Sequence, residues 1–304
     1  MNIIKQYIFT AIVAITAVIA PLGTSAQQPE PYFPLPEVPE SLVTLEERVN
    51  YLVTHYWDRC NWNSAFSSRD EMGRMFGNYL ELLPHADARV AHESIDRLIK
   101  ELKKTPGGLA YIVDRAEKEL YGPEAQYFSD EVFIEFLKAG IDDKKADKAV
   151  RRRYSDILSR LKGCQTGMTF PDAQLSPRDG GGSPSSVRQF IDSDTTTITI
   201  VFFADPLDAD APLTRMRLEA DSRLKNFIAD GQAKMIVIYP SAVDRAWNDY
   251  STSLPDAWLA AAAPNGRAIY DIRVYPSFYI LDSKGVIHYK NLDTDTFLDL
   301  IYRF

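Results

Sequence analysis

Two cysteines and a short run of carboxylates are the side chains of this 304-residue sequence best suited to chemistry. Thiol–disulfide exchange needs one sulfur to attack as a thiolate and a second to resolve the mixed disulfide. Cys60 and Cys164 lie far apart in the chain. Either they close a long disulfide loop, worth about 2–4 kcal/mol, or they are two separate buried thiols. Asp205, Asp208 and Asp210 stand in the loop DPLDADAP, between an apolar strand pattern and a helical one. Carboxylates there suit the helix N-terminus, where they accept free backbone N–H groups. Asp208-x-Asp210 is a fragment of a calcium loop, but the turn glycine and late bidentate glutamate are missing. With no nucleophile or second acid–base group nearby, helix capping is the expected role. His55, His85, His92 and His288 are scattered without zinc-ligand spacing, so no metal and no cofactor are expected.

The elements that must position these groups are of two kinds. From Thr44 the apolar period is helical. Thr44 with Glu47 forms a capping box, and Leu45, Val49, Leu52, Val53 and Tyr56 form one stripe. Further helices are predicted over Phe76–Leu83, Asp87–Lys104, Leu109–Leu120 and Val132–Ala139, the last capped by Ser129. A basic helix opens at Asp142, and its Lys and Arg residues between Lys144 and Lys162 read as a solvated face. With short connections these helices predict an antiparallel array. After Gly163 the pattern changes. Short strands are predicted at Gly167–Leu175, Thr196–Phe203 and Met235–Tyr239. An amphipathic helix spans Pro212–Ile228, with Leu213 and Met216 on its buried face. A hairpin pairs Ser277–Leu281 with Val286–Tyr289, and a helix closes the chain over Thr294–Tyr302. Arg178–Ser186, rich in glycine and serine, is a turn or tip.

The formal charge of −8 excludes a broad electrostatic footprint for nucleic acid. Lys5, an apolar run from Tyr7 to Leu22 and the small residues Gly23-Thr24-Ser25-Ala26 have the layout of a secretory signal peptide. The expected division is a signal peptide over 1–26, a proline-rich leader over 27–41, a helical domain over 42–162 and an α/β domain over 163–304. The mature chain is expected to be exported, periplasmic and without a stable membrane span.

The stretches Asn78-Tyr79-Leu80-Glu81-Leu82-Leu83-Pro84-His85, Ala116–Tyr121 and Arg153-Tyr154 resemble the DUF5106-type helical domain of unknown function that precedes thioredoxin-like domains in exported Bacteroidetes proteins. The second half resembles the exported ResA/TlpA branch of thioredoxin-like proteins. That likeness is carried by Gly167 with Pro171-Asp172, by Val201–Ala204, by Trp247, Tyr250, Pro255 and Trp258, and by Tyr270-Asp271-Ile272. It continues through Tyr275-Pro276-Ser277, Tyr279–Asp282 and Lys284-Gly285. The fold implied is an N-terminal antiparallel helical domain followed by a thioredoxin-like central sheet with flanking helices (α + α/β).

In that family the loop after the first long strand holds a Cys-x-x-Cys pair. Here the matching positions are Leu207 and Asp210. A carboxylate cannot form a mixed disulfide, so the resemblance implies a scaffold without its redox group. It also implies a cis bond before Pro276, and a residue there whose main chain pairs with a bound peptide strand. The implied binding residues are Asp205, Leu207, Asp208, Asp210, Trp258, Tyr275 and Pro276, and the implied ligand is a protein or extended peptide of the cell envelope. The alternative reading of Trp258, and of Tyr275, is core packing. Two other readings remain at this level: a thiol–disulfide enzyme using Cys60 and Cys164, and a purely structural envelope protein.

Overall fold

The computed structural model describes residues 32–178, 184–193 and 198–303. The expected signal peptide, the start of the proline-rich leader, the centre of the glycine-rich tip and the residues before Ile198 lie outside the described residues.

Thr44 opens α1 (Leu45–His55) through a complete capping box: the Glu47 N–H donates to Thr44 Oγ1 at 3.1 Å, and the Thr44 N–H donates to Glu47 Oε2 at 3.0 Å. Ser68 caps α2 (Arg69–Leu82), which starts a turn and more before the predicted helix and ends in a 3₁₀ turn at Leu83–His85. Then follow α3 (Ala88–Lys104), α4 (Gly108–Leu120), α5 (Asp130–Asp142) and α6 (Lys148–Gly163). Asp142 closes α5 rather than opening the basic helix. Asp147 caps α6 instead, accepting the Ala149 N–H at 2.7 Å. Tyr154, Ile157 and Leu161 of α6 are buried; Lys148, Arg152 and Lys162 are exposed, whereas Arg151 and Arg160 are half-buried and Arg153 pairs with Glu117, so the basic face is solvated only in part.

The helices enclose a core rich in aromatic rings, with Phe76 edge-on to Phe136 at 5.4 Å and Tyr79 near Trp57 at 5.3 Å. The leader contributes to it. Phe33 is buried against Tyr56 and Trp57, and Tyr32 and Leu35 pack beside it, so the described part of the proline-rich stretch is anchored on the helical core.

Past α6 the chain builds a six-stranded mixed sheet from β1 (Ser176–Pro177), β2 (Ile198–Phe203), β3 (Ala233–Tyr239), β4 (Leu259–Ala262), β5 (Ser277–Asp282) and β6 (Ile287–Leu292). Its order is β1-β4-β3-β2-β5-β6. β2, β3 and β4 are parallel, and β5 and β6 return antiparallel. The two-residue side-chain period of β2 divides its apolar residues between two layers. Ile200 and Phe202 face Met235, Val237 and Phe278; Val201 and Phe203 face Ile236, Ile238 and Tyr279. The sheet is flanked by α7 (Val187–Asp192), α8 (Ala211–Ala220), α9 (Ser222–Ala229), α10 (Arg245–Ser251), α11 (Gly266–Ile269) and α12 (Thr294–Ile301).

Two predicted elements are different. Gly167–Leu175 forms only isolated bridges, Thr169 to Val286 and Gln174 to Ser186, because Pro171 removes a ladder donor from its middle. The long helix Pro212–Ile228 is two helices. The Asp221 carboxylate accepts the Leu224 N–H at 2.8 Å and caps α9, which breaks the helix there and turns Leu213 and Met216 outward. Among the described residues no helix is long and apolar enough to cross a membrane.

Candidate functional site

The loop Asp205–Asp210 leaves the end of β2 and enters α8. Its turns are made by its own carboxylates. Asp205 Oδ1 accepts the Leu207 N–H at 3.0 Å, and Asp208 Oδ1 accepts the Asp210 N–H at 2.9 Å. Asp210 occupies the N-cap position of α8, yet its side chain accepts no capping bond, so the carboxylates shape the loop before the helix rather than capping it as expected. Leu207 is 79% exposed. With Leu213 and Met216 it leaves three large apolar side chains outside on one loop–helix segment.

The second oxygen of Asp205 is engaged across the sheet end: Arg267 Nη2 donates to Asp205 Oδ2 at 2.8 Å. The same guanidinium lies 5.5 Å from the centre of the Tyr275 ring. Arg267 is held in place by Gly266. A Cβ there would lie 2.7 Å from Pro240 Cα, so only glycine lets α11 approach that turn, and the Arg267 N–H then reaches the Pro240 carbonyl at 3.2 Å. Burial pushes the Tyr275 hydroxyl up to about 12, Arg267 drawing it down and Asp205 pushing it up. The phenol is neutral at physiological pH.

The Tyr275–Pro276 peptide bond is cis. Among the described residues, the N–H and C=O of Tyr275 make no backbone hydrogen bond, whereas Ser277 is already paired with Phe203 in the sheet. Main-chain groups at this turn are free to pair with an added strand. The residues thus gathered are Asp205, Arg267, Tyr275 and Pro276, with Leu207 and Asp208 on the adjoining loop.

Trp258 is not among them. It is 5% exposed and packs with Trp247, Tyr250 and Leu254 on one layer of the sheet, whereas Tyr275 packs against the other. The sheet lies between them, and Trp258 is a core residue.

The possible disulfide is also corrected. Cys60 and Cys164 are free thiols in different cores, Cys60 among the helices and Cys164 beneath the sheet. Cys164 Sγ accepts the Asp271 N–H at 3.4 Å. Burial pushes the Cys60 thiol up to about 12 and the Cys164 thiol up to about 11.

A second charged group flanks the same turn from the other side. Arg273 and Lys290 each bridge Asp130, at the start of α5, to Asp271 in the turn. Arg273 lies 3.1 Å from Asp271; Lys290 lies 2.6 Å from Asp130 and 2.8 Å from Asp271. The Arg273 guanidinium also lies over Tyr121, 4.7 Å from the ring centre. Burial pushes the Asp271 carboxyl up, but Arg273 and Lys290 outweigh it and hold it below the usual carboxylate range. Sequence reasoning missed Arg267 and this cluster. Their partners come from distant segments, and the one local signal was the density of Asp and Arg beside Tyr275.

His92, Asp96 and Glu135 bring three ligand-type side chains within 4.8 Å of one another on the helical half. His92 and Asp96 are a surface pair one helical turn apart at 3.9 Å, and Glu135 pairs with Lys138 at 3.6 Å.

No curated protein matches the chain. Among solved structures, a thioredoxin-like protein from Bacteroides caccae ATCC 43185 superposes with a TM-score of 0.75 at 21% identity, over 90% of this chain and 98% of that one. The C-terminal domain of an uncharacterized protein from Bacteroides fragilis NCTC 9343 matches 45% of this chain and 97% of its own, with 17% identity and a TM-score of 0.40. The thioredoxin domain of a thiol-disulfide oxidoreductase from Bacteroides vulgatus matches 46% of this chain and 97% of its own, with 17% identity and a TM-score of 0.37. The first of these, over nearly the whole chain, shows the fold to be thioredoxin-like behind a helical domain. The model of a domain of unknown function, DUF5106, matches residues 12–163, half of the sequence, and the chain belongs to that family.

Proposed function

We propose that this protein is an exported, periplasmic thioredoxin-like module that binds an extended segment of a partner protein and carries out no disulfide exchange. The observation that carries the reading is the composition of the turn at Pro276. Leu207 and Asp210 stand at the positions that the resemblance assigns to the cysteine pair, and an Asp205–Arg267 ion pair lies beside them, next to a Tyr275 main chain with unused hydrogen-bonding groups. Strand addition at such a turn draws its affinity from main-chain hydrogen bonds and its selectivity from neighbouring side chains. Leu207 and the outward Leu213 and Met216 supply apolar surface for that selectivity.

The buried thiols support redox inertness. Cys60 and Cys164 are held protonated, and neither has a second cysteine within its own core to resolve a mixed disulfide. Export rests on the sequence of residues 1–26.

Three measurements test this reading. N-terminal sequencing of the secreted chain should begin at Gln27. Insulin reduction should stay at the rate of a protein-free blank, and turnover that disappears in Cys60→Ser or Cys164→Ser would favour an oxidoreductase. Binding of extended peptides to the full chain should be lost in Leu207→Asp, whose exposed position keeps the fold intact. Unchanged binding in that variant removes the site from this turn.

A further inference from the structure

The helical half also faces the Pro276 turn, across a cleft of about 930 Å³ lined by residues of both halves. Phe128 and Asp130–Glu131 line it from the helical side. Met168, Val274, Lys290, Asn291 and Asp293 line it from the sheet side, and Val274 directly precedes Tyr275. We propose that this cleft is the second half of the peptide site, and that it takes an extended protein segment in which a large apolar side chain neighbours a lysine or arginine. The inference rests on the peptide-binding reading and names the chemistry of the partner.

Three observations carry it. The first is apolar exposure at the rim: Phe128 is 62% and Met168 50% exposed, on opposite walls. Rings and thioethers left in water on facing walls suit a large apolar side chain between them.

The second is the charge balance. The titratable groups lining the cleft are Asp130, Glu131, Arg273, Lys290 and Asp293. Both cations are consumed within the structure, each bridging Asp130 to Asp271 and nearly buried. The charges left facing solvent are the exposed Glu131 and Asp293, both negative. Complementary charge on the occupant is therefore positive.

The third is the way the cleft joins the turn. Asn291 holds a left-handed backbone (φ 51°), which is uncommon for a residue other than glycine, where the β5–β6 register shifts. Its side-chain amide meets Asp271 Oδ2 at 3.3 Å, and its oxygen meets Ser277 Oγ at 3.3 Å. One residue of the cleft thus spans both ends of the Tyr275–Pro276 turn. The cleft reaches Val274, the residue before Tyr275, so on this proposal a chain paired with the Tyr275 main chain continues into it. On this proposal the helical domain supplies one wall of the binding site.

Fluorescence anisotropy with the full chain and two matched sets of short labelled peptides provides the test. Both sets carry Leu, Phe or Met; one adds Lys or Arg and the other Asp or Glu. The basic set should bind about tenfold tighter than the acidic set, with the preference shrinking as salt rises. Glu131→Lys combined with Asp293→Asn should abolish that preference; asparagine keeps the helix cap that Asp293 gives to Thr296 at 2.7 Å. Phe128→Ala should weaken both sets, with an unchanged melting curve confirming the fold. Equal binding of the two sets, unaltered in the Glu131/Asp293 variant but lost in Leu207→Asp, overturns the inference and leaves the binding turn standing. Failure of both sets to bind the wild-type chain removes the turn and the cleft together.

Discussion

Two charged groups flank the Tyr275–Pro276 turn, and they differ in how far their cations are withdrawn from water. On the loop side, Asp205 and Arg267 form a single pair whose side chains are 17% and 54% exposed. On the helical side, Arg273 and Lys290 are 6% and 11% exposed, between Asp271 at 0% and Asp130 at 20%. A solvated pair contributes about 0–1 kcal/mol, because water and salt screen it and two long side chains must be ordered. In a buried network each charge has lost its water, so removing one member strands the others. The difference assigns the roles. The buried group fixes the turn against the helical half, and the Asp205–Arg267 pair, with its guanidinium open to water, adds little to holding it. Of this buried group, Asp271 Oδ1 and Arg273 Nε have no hydrogen-bond partner among the described residues, so it holds position at a cost in desolvation.

The largest effect is expected at Arg273. Arg273→Ala leaves Asp130 and Asp271 with Lys290 as their remaining cation and uncovers the face of Tyr121, and should destabilise the chain by about 3–5 kcal/mol in urea unfolding. A loss under about 1 kcal/mol would erase the distinction between the two groups.

Next comes Gly266→Ala. Its Cβ would meet Pro240 backbone at 2.7 Å, which cannot give way as a flexible side chain does, and a cost of about 1–3 kcal/mol is expected. A melting temperature equal to wild type would show that Arg267 is not placed by this close approach.

Acid should then separate the two groups. Asp271 has its carboxyl depressed in the folded chain, burial raising it and the Arg273 and Lys290 cations lowering it further. Its contribution is therefore fully present above the ordinary aspartate value and lost as pH falls through the lower folded value. The urea midpoint should drop on acidification below about pH 4, and the drop should shrink in Asp271→Asn. Equal pH profiles for the two chains would show that the cluster titrates as it does in the unfolded state.

The smallest effect on stability belongs to Arg267→Ala, at about 1 kcal/mol or less, accompanied by weaker peptide binding at the Pro276 turn. A stability loss as large as that of Arg273→Ala would make the solvated pair structural after all.

Part of this was legible without coordinates. The capping box at Thr44–Glu47, the Ser129 cap, the apolar strand ending at Phe203 and the hairpin around Lys284-Gly285 are local signals, and each appears where its residues predict it. Thioredoxin-like order could be recognised from a series of short motifs in sequence. Where local rules competed, the prediction failed. Asp221 could continue a helix or cap a new one, and its side chain capped. Trp258 could serve the site or the core, and its burial in the layer away from Tyr275 settled that.

By itself the sequence determined the two-part architecture, the absence of a cysteine pair at the family's loop and the acidic balance of the chain, because these depend on residue type and on periods of a few residues. Only the tertiary structure decided which charges meet. Asp130 lies 143 residues from Arg273, and Asp205 lies 62 from Arg267, so nothing in either neighbourhood encodes the partner. It also decided that Cys60 and Cys164 stay apart, and that a helical wall carrying Phe128 and Glu131 faces the turn at Pro276. Contacts of that kind are set by how the helical core and the sheet layers pack against each other, a property of surfaces that no short stretch of sequence specifies.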